Sequence, residues 1–207
     1  VPAAEIAESL FTDAELDKAT RAEPEVIGKE EGVSYAAAMD PATRANAWTL
    51  VVAALREVAG GGVRRSVVRA CEWIGKPGEP LRPKLVMKGI AEVLSSYDVD
   101  TVWSDQASGD ALRDIGEDEG VHVVLEPWTQ ASKISAFKDL QTWVRTDQVE
   151  LAPVTNLKAD LLGARRKHTR GGVTIDLVRT ADGRHSDYAP SVAMAMGLWW
   201  SSSKARC

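Results

Sequence analysis

Three aspartates stand where a folded chain could gather negative charge. Asp40 closes the run "VSYAAAM", Asp105 closes "TVWS", and Asp187 opens "YAPSVAMAMGLWW". Hard divalent cations such as magnesium or manganese take carboxylate oxygens. Two of them about 3.5–4 Å apart can clamp the attacking and leaving oxygens of a phosphodiester displacement. Aspartate suits this work because it is short, negative and able to bridge two ions. Carboxylates crowded together without a cation raise one another's pKa and strain the fold, so convergence of the three implies a use. Each also has a purely structural reading. Asp40 before Pro41 is good turn chemistry, Asp105 is placed to cap the helix that follows it, and Asp187 to cap the last one.

Secondary candidates surround these acids. His185, two residues before Asp187, is placed to contact a phosphate or assist a proton transfer, or simply to be exposed in a polar loop. Asp110 and Asp182 are the nearby alternatives should the register differ. His122, on an apolar strand, reads as a structural histidine rather than a ligand. The stretch "LLGARRKHTRGG" concentrates Arg165, Arg166, Lys167, His168 and Arg170. It reads either as a phosphate-holding patch or as a solvated helix end whose cations offset the C-terminal dipole.

The elements that must carry these residues follow from periodicity. Residues 33–39, 47–55 and 63–74 are β-branched or apolar runs separated by "DPATRAN" and "EVAGGG", which predicts three antiparallel strands. Val86, Ile90, Val93 and Tyr97 then mark a helical face. A strand at 101–105, a polar helix and a strand at 121–128 come next. Ile134, Phe137, Leu140 and Val144 form one helical stripe, and a further helix is predicted over about 154–166. "VTIDLV" alternates as an edge strand does. The closing helix presents Ala189, Val192, Ala193, Met196 and Trp200, and Pro190 fits its first turn, where a missing N–H costs nothing. The order predicts an α/β fold: a ribonuclease H-like mixed β-sheet, three antiparallel strands followed by parallel additions, with helices on both faces. If the first and fourth strands are neighbours, Asp40 and Asp105 end side by side and the last helix delivers Asp187.

Residues 1–32 are acidic, rich in Ala and Glu, and broken at Pro24 and Gly28, which predicts a peripheral N-terminal helix and linker ahead of the ribonuclease H-like domain at 33–207. With no initiator methionine and a linker at its start, the chain reads as a C-terminal piece of something longer. The 207 residues are 44% hydrophobic and 27% charged, the balance of a globular domain. No apolar run is long enough to span a bilayer, and no signal pattern opens the chain, which predicts a cytoplasmic protein without membrane contact. Cys71 and Cys207 have no metal-ligand spacing. A net charge of −5 argues against a simple DNA-binding module yet suits an enzyme that clusters carboxylates beside one basic patch. "GKPGEP" leads with its lysine and carries two prolines, so it is no Walker phosphate loop. The seven tryptophans are scattered and read mostly as packing residues, with Trp199 and Trp200 placed to face another domain.

At this point three segments carry a resemblance. "AAMDPATRANAWTLVVAA", "VDTVWSDQASGDAL" and "ADGRHSDYAPSVAMAMG" resemble the motif regions of the nuclease domain of the phage terminase large subunit, over about residues 33–200. The His-x-Asp before a small-residue helix is the most specific of them. No second acid follows Asp40 closely, and alanine stands near Asn46 where that pattern has glycine. The resemblance implies a ribonuclease H-like domain that follows an ATPase domain and cuts concatemeric double-stranded viral DNA during genome packaging. It makes Asp40, Asp105 and Asp187 the catalytic, metal-binding acids for two Mg2+ or Mn2+ ions, with Arg44 and the 165–170 patch on the DNA backbone. It also implies the small terminase subunit and the capsid portal as partners, in the host cell cytoplasm. Two rivals stay open: a resolvase or transposase nuclease of the same fold, and a docking domain that binds DNA or portal without cutting.

Overall fold

The structure, a computed structural model, describes residues 7–42, 46–76, 78–105, 109–169, 172–180 and 183–204, with backbone alone from 199 onward. Arg44, Arg170, Asp182 and Cys207, and the side chains of Trp199 and Trp200, lie outside the described residues.

A six-stranded sheet forms the centre. Its first three strands are β2 (Ser34–Asp40), β3 (Ala47–Val58) and β4 (Gly62–Ile74), antiparallel as their short connections predict. β5 (Thr101–Asp105) adds in parallel beside β2, and β6 (His122–Glu126) in parallel beside β5. On the far edge β7 (Val149–Glu150) runs parallel to β4, giving the order β6-β5-β2-β3-β4-β7.

β3 is apolar at nearly every position because both faces of the sheet are covered. Alternate residues point opposite ways, so Leu50, Val52 and Ala54 meet one core while Val51 and Ala53 meet the other. The first core is closed by α2 (Pro83–Ser95) and α3 (Gly109–Asp118). Val86, Met87, Ile90 and Leu94 form the buried face of α2, and Tyr97 is buried just beyond its end. The second core is closed by α4 (Gln130–Arg145), α5 (Thr155–Leu162) and α6 (Tyr188–Lys204). α6 buries Tyr188, Ala189, Val192, Ala193, Ala195 and Met196. Its small residues let it lie close across β2 and β3.

Two expectations need correction. The predicted helix over 154–166 stops at Leu162, since Gly163 caps it and the chain then extends as β8 (Ala164–Thr169), paired in a hairpin with β9 (Gly172–Leu177). At Gly163 an added Cβ would lie 2.5 Å from Ser186 Oγ and 2.9 Å from Val178 O, so the close approach requires glycine. Part of the N-terminal segment also packs into the domain, at residues 7–19. β1 (Ala7–Ser9) pairs with β8 to complete a separate three-stranded sheet, β1-β8-β9, and α1 (Asp13–Ala19) follows. Leu10, Phe11 and Leu16 are buried in the second core, because a hydrophobic run between polar flanks is drawn in wherever apolar surface is available. Among the described residues no helix is long and apolar enough to cross a membrane.

Candidate active site

Topology brings two of the three acids together. β2 and β5 are parallel neighbours with Ala38 opposite Trp103. Two residues further along each strand stand Asp40 and Asp105, so both carboxylates leave the same sheet edge. Glu126 ends β6 opposite Asp105 and extends this acidic row, although the sequence reading did not single it out.

Asp187 arrives from the third direction. It sits directly before α6 and is 6% exposed. Its Oδ2 accepts the Ala47 backbone N–H at 2.9 Å, and its carbonyl accepts the Thr49 hydroxyl, also at 2.9 Å. The helix N–H of Tyr188 is instead satisfied by Asp160 Oδ2 at 2.8 Å. The Asp187 carboxylate therefore reaches across to the start of β3 while another residue takes the capping bond.

The electrostatics report the crowding. Burial pushes the Asp40 carboxyl up to about 7, and the charges of Asp187 and Asp105 push in the same direction. Burial also raises Asp187, against the Ala47 N–H and the positive fields of Arg184 and His185. A cation missed in the sequence supplies the counter-charge: Lys133, in the first turn of α4. Burial lowers its pKa, while Asp176, Asp40 and Asp105 hold it up. Only its place, one turn into a helix that packs beside the acid-bearing edge, could have signalled it. The three aspartates are neighbours without forming a closed cage. Among the described residues no three acidic, imidazole or thiol side chains are arranged to hold an ion by themselves. The donor chemistry nevertheless suits a hard divalent cation: the groups gathered here offer carboxylate oxygens, and Asp40 carries the cost of uncompensated negative charge.

The other candidates divide. His185 is partly buried and close enough for its charge to be felt by Asp187. Asp110 is exposed on α3, 3.5 Å from Arg113, and His122 is exposed rather than structural, since the strand it opens buries only its inward-facing residues. The basic stretch is not one patch. Alternation along β8 puts Arg165 and Lys167 on one face and Arg166 and His168 on the other. Arg166 reaches Gln141 of α4 at 3.5 Å, and Arg165 reaches Ser9 at 3.4 Å. Trp48 is fully buried, and Trp73, Trp103, Trp128 and Trp143 are partly buried against the two cores.

No family model and no curated protein sequence matches the chain. Solved structures do. The large terminase of bacteriophage HK97 superposes with a TM-score of 0.72 at 14% identity, covering 94% of this chain and 44% of its own. The chain thus spans less than half of that protein. The large terminase nuclease of thermophilic phage G20c, solved with bound magnesium, gives 0.68 at 17% identity, covering 95% of this chain and 98% of its own. The nuclease domain of the large terminase subunit of bacterial virus Sf6 gives 0.60 at 14%, covering 91% and 98%. At such identities the likeness speaks for architecture, and on that ground the chain has the fold of the phage large terminase nuclease domains, the ribonuclease H-like arrangement that its strand order predicts.

Proposed function

We propose that the chain is a metal-dependent endonuclease that cuts double-stranded DNA by phosphodiester hydrolysis, acting as the nuclease portion of a phage DNA-packaging terminase. The observation that carries this reading is the convergence of Asp40, Asp105 and Asp187 from two parallel strand ends and a helix start, with Asp40 raised to about 7 among its neighbours. Magnesium is bound in the G20c large terminase nuclease, a structure of the same fold, and that supports a divalent ion here. Asp40, Asp105 and Asp187 would hold two Mg2+ or Mn2+ ions. Such ions, when bound, activate the attacking water and offset charge on the leaving 3′ oxygen.

The chain's own residues do the rest. Ala47 N–H engages one carboxylate oxygen of Asp187 and Thr49 its backbone carbonyl, which fixes the residue between β3 and α6. Lys133 balances part of the acids' charge. His185 is placed to meet a phosphate beside Asp187. Arg44, Arg165, Arg166, Lys167 and Arg170 are the proposed backbone contacts, which position DNA and carry little sequence information. Choice of cutting site then falls to the ATPase domain, small subunit and portal, within the host cytoplasm.

Supercoiled plasmid incubated with the purified chain and manganese, magnesium or chelator tests the reading, beside a folded Asp187→Ala variant. Nicking that needs metal and disappears in the variant is the expected result. Equal nicking by both proteins removes Asp187 from the chemistry. A folded chain that binds DNA but never nicks favours the docking domain, and a preference for branched over linear duplex favours a resolvase.

A further inference from the structure

Asp187 is held in place from behind as well as from β3. Arg184, three residues earlier, donates through Nη1 to Glu72 of β4 and through Nη2 to Asp160 of α5. Asp160 is fully buried, and the same Oδ2 accepts the Tyr188 N–H at 2.8 Å. Asn156 donates to the other Glu72 oxygen at 2.6 Å, which fixes the far end of the bridge. The chain between these anchors is pinned too: Ser186 Oγ donates to Val178 O at 2.6 Å. Asp187 therefore has Arg184 locked three residues before it and the Tyr188 N–H locked immediately after it, by one carboxylate.

This is more than a helix cap requires. A serine or asparagine would satisfy Tyr188 N–H, whereas burying an aspartate and an arginine together incurs desolvation that only good geometry offsets. The bridge is not fully satisfied either. Asp160 Oδ1 and Arg184 Nε are buried without hydrogen-bond partners. What the charged bridge provides beyond a neutral cap is a rigid span from β4 through Arg184 to α5, with Asp187 at its end. A planar guanidinium joining two carboxylates fixes direction as well as distance. Such a support matters where the supported group is repelled by its neighbours, and Asp187 faces the charge of Asp40.

We propose that Arg184 and Asp160 are positioning residues that hold the Asp187 carboxylate at the metal site. The proposal rests on the nuclease reading for its purpose, but the positioning itself is read without metal or DNA. Ala47 N–H, bonded to Asp187 Oδ2, is the reporter.

The test is amide hydrogen exchange of the metal-free protein, with Mn2+ affinity measured separately by calorimetry. The variants are Asp160→Asn, which keeps an acceptor for Tyr188, and the double variant Arg184→Met with Asp160→Asn, which leaves no unpaired buried charge in α5. In the double variant Ala47 exchanges about tenfold faster while Val51, in the middle of β3, is unchanged, and Mn2+ binds about tenfold more weakly, the usual scale for a residue that orients a ligand. Unchanged protection at Ala47 overturns the proposal whatever happens to metal affinity. Equal acceleration at Ala47 and Val51 overturns it too, because the bridge then serves only global stability. If the unaltered chain binds no Mn2+, the nuclease reading fails, and the Ala47 amide alone decides the positioning.

Discussion

At the scale of single residues, the acids that would do the chemistry also weaken the fold that carries them. The Asp40 carboxyl is raised from its ordinary 3.8 to about 7, so the folded state holds this proton more tightly than the unfolded state does. The penalty is absent below about pH 4, grows through the window between the two values, and is complete above about pH 7. Asp40→Asn therefore stabilises the metal-free protein by about 2–4 kcal/mol at pH 8 and by little at pH 4, in urea titrations at both pH values. Saturating Mn2+ reverses the order: it stabilises the unaltered chain by mass action and the variant much less. A gain at pH 4 equal to that at pH 8 would show that charge is not the cause. The positions of Asp40 and Asp105 were legible in the sequence, because each closes an apolar strand-like run. Lys133 was not, since a single lysine in an amphipathic helix carries no mark of what the helix packs beside. Nor was the division between capping and reaching at Asp187, because the residue that takes the Tyr188 N–H, Asp160, lies 27 positions before Asp187 in another helix.

At the scale of elements, five strands of the six-stranded sheet were readable, and the two-residue β7 was not. The runs around Leu50, Val67 and Val102 are bounded by turn chemistry, and length with local pattern suffices for them. β9 was read as a strand, but β8 was misread as helix because "ARRKHT" runs its basic residues together with no apolar alternation, and one of its pairing partners, β1, lies at the opposite end of the chain. Two predictions belong here. Gly163→Ala drives a methyl into Ser186 Oγ and Val178 O, one of them backbone. It should lower stability by about 1–3 kcal/mol, the range for overpacking, in a denaturant titration. An unchanged midpoint would mean that the turn before Asp187 can shift. The split of the basic stretch predicts different behaviour for its two faces. Arg165→Ser with Lys167→Ser should reduce the salt dependence of duplex binding by about two phosphate contacts, whereas Arg166→Ser, whose side chain packs on α4, should change it less. Fluorescence anisotropy across a salt series separates them, and identical slopes for both variants would refute the division.

At the scale of the whole molecule, the second core joins the start of the chain to its last helix. Leu10 N–H donates to Ala164 O at 3.0 Å, Gln141 reaches Leu10 O at 2.5 Å, and Phe11 is 1% exposed among residues of α4, α5 and α6. Phe11→Ala should cost about 3–5 kcal/mol and lower the melting temperature, although residue 11 lies in a segment that reads as a peripheral helix and linker. A loss within 0.5 kcal/mol would return that segment to the periphery. The same packing sets α6 across β2 and β3, and so decides where Asp187 meets the ends of β2 and β5. The proposed chemistry requires those three acids to hold metal together. The most direct measurement is anomalous diffraction at the manganese edge from crystals of the chain soaked in Mn2+. One or two peaks in direct contact with carboxylate oxygens of Asp40, Asp105 and Asp187 are predicted. A well-ordered site with no peak there, or manganese bound only elsewhere, would contradict the account.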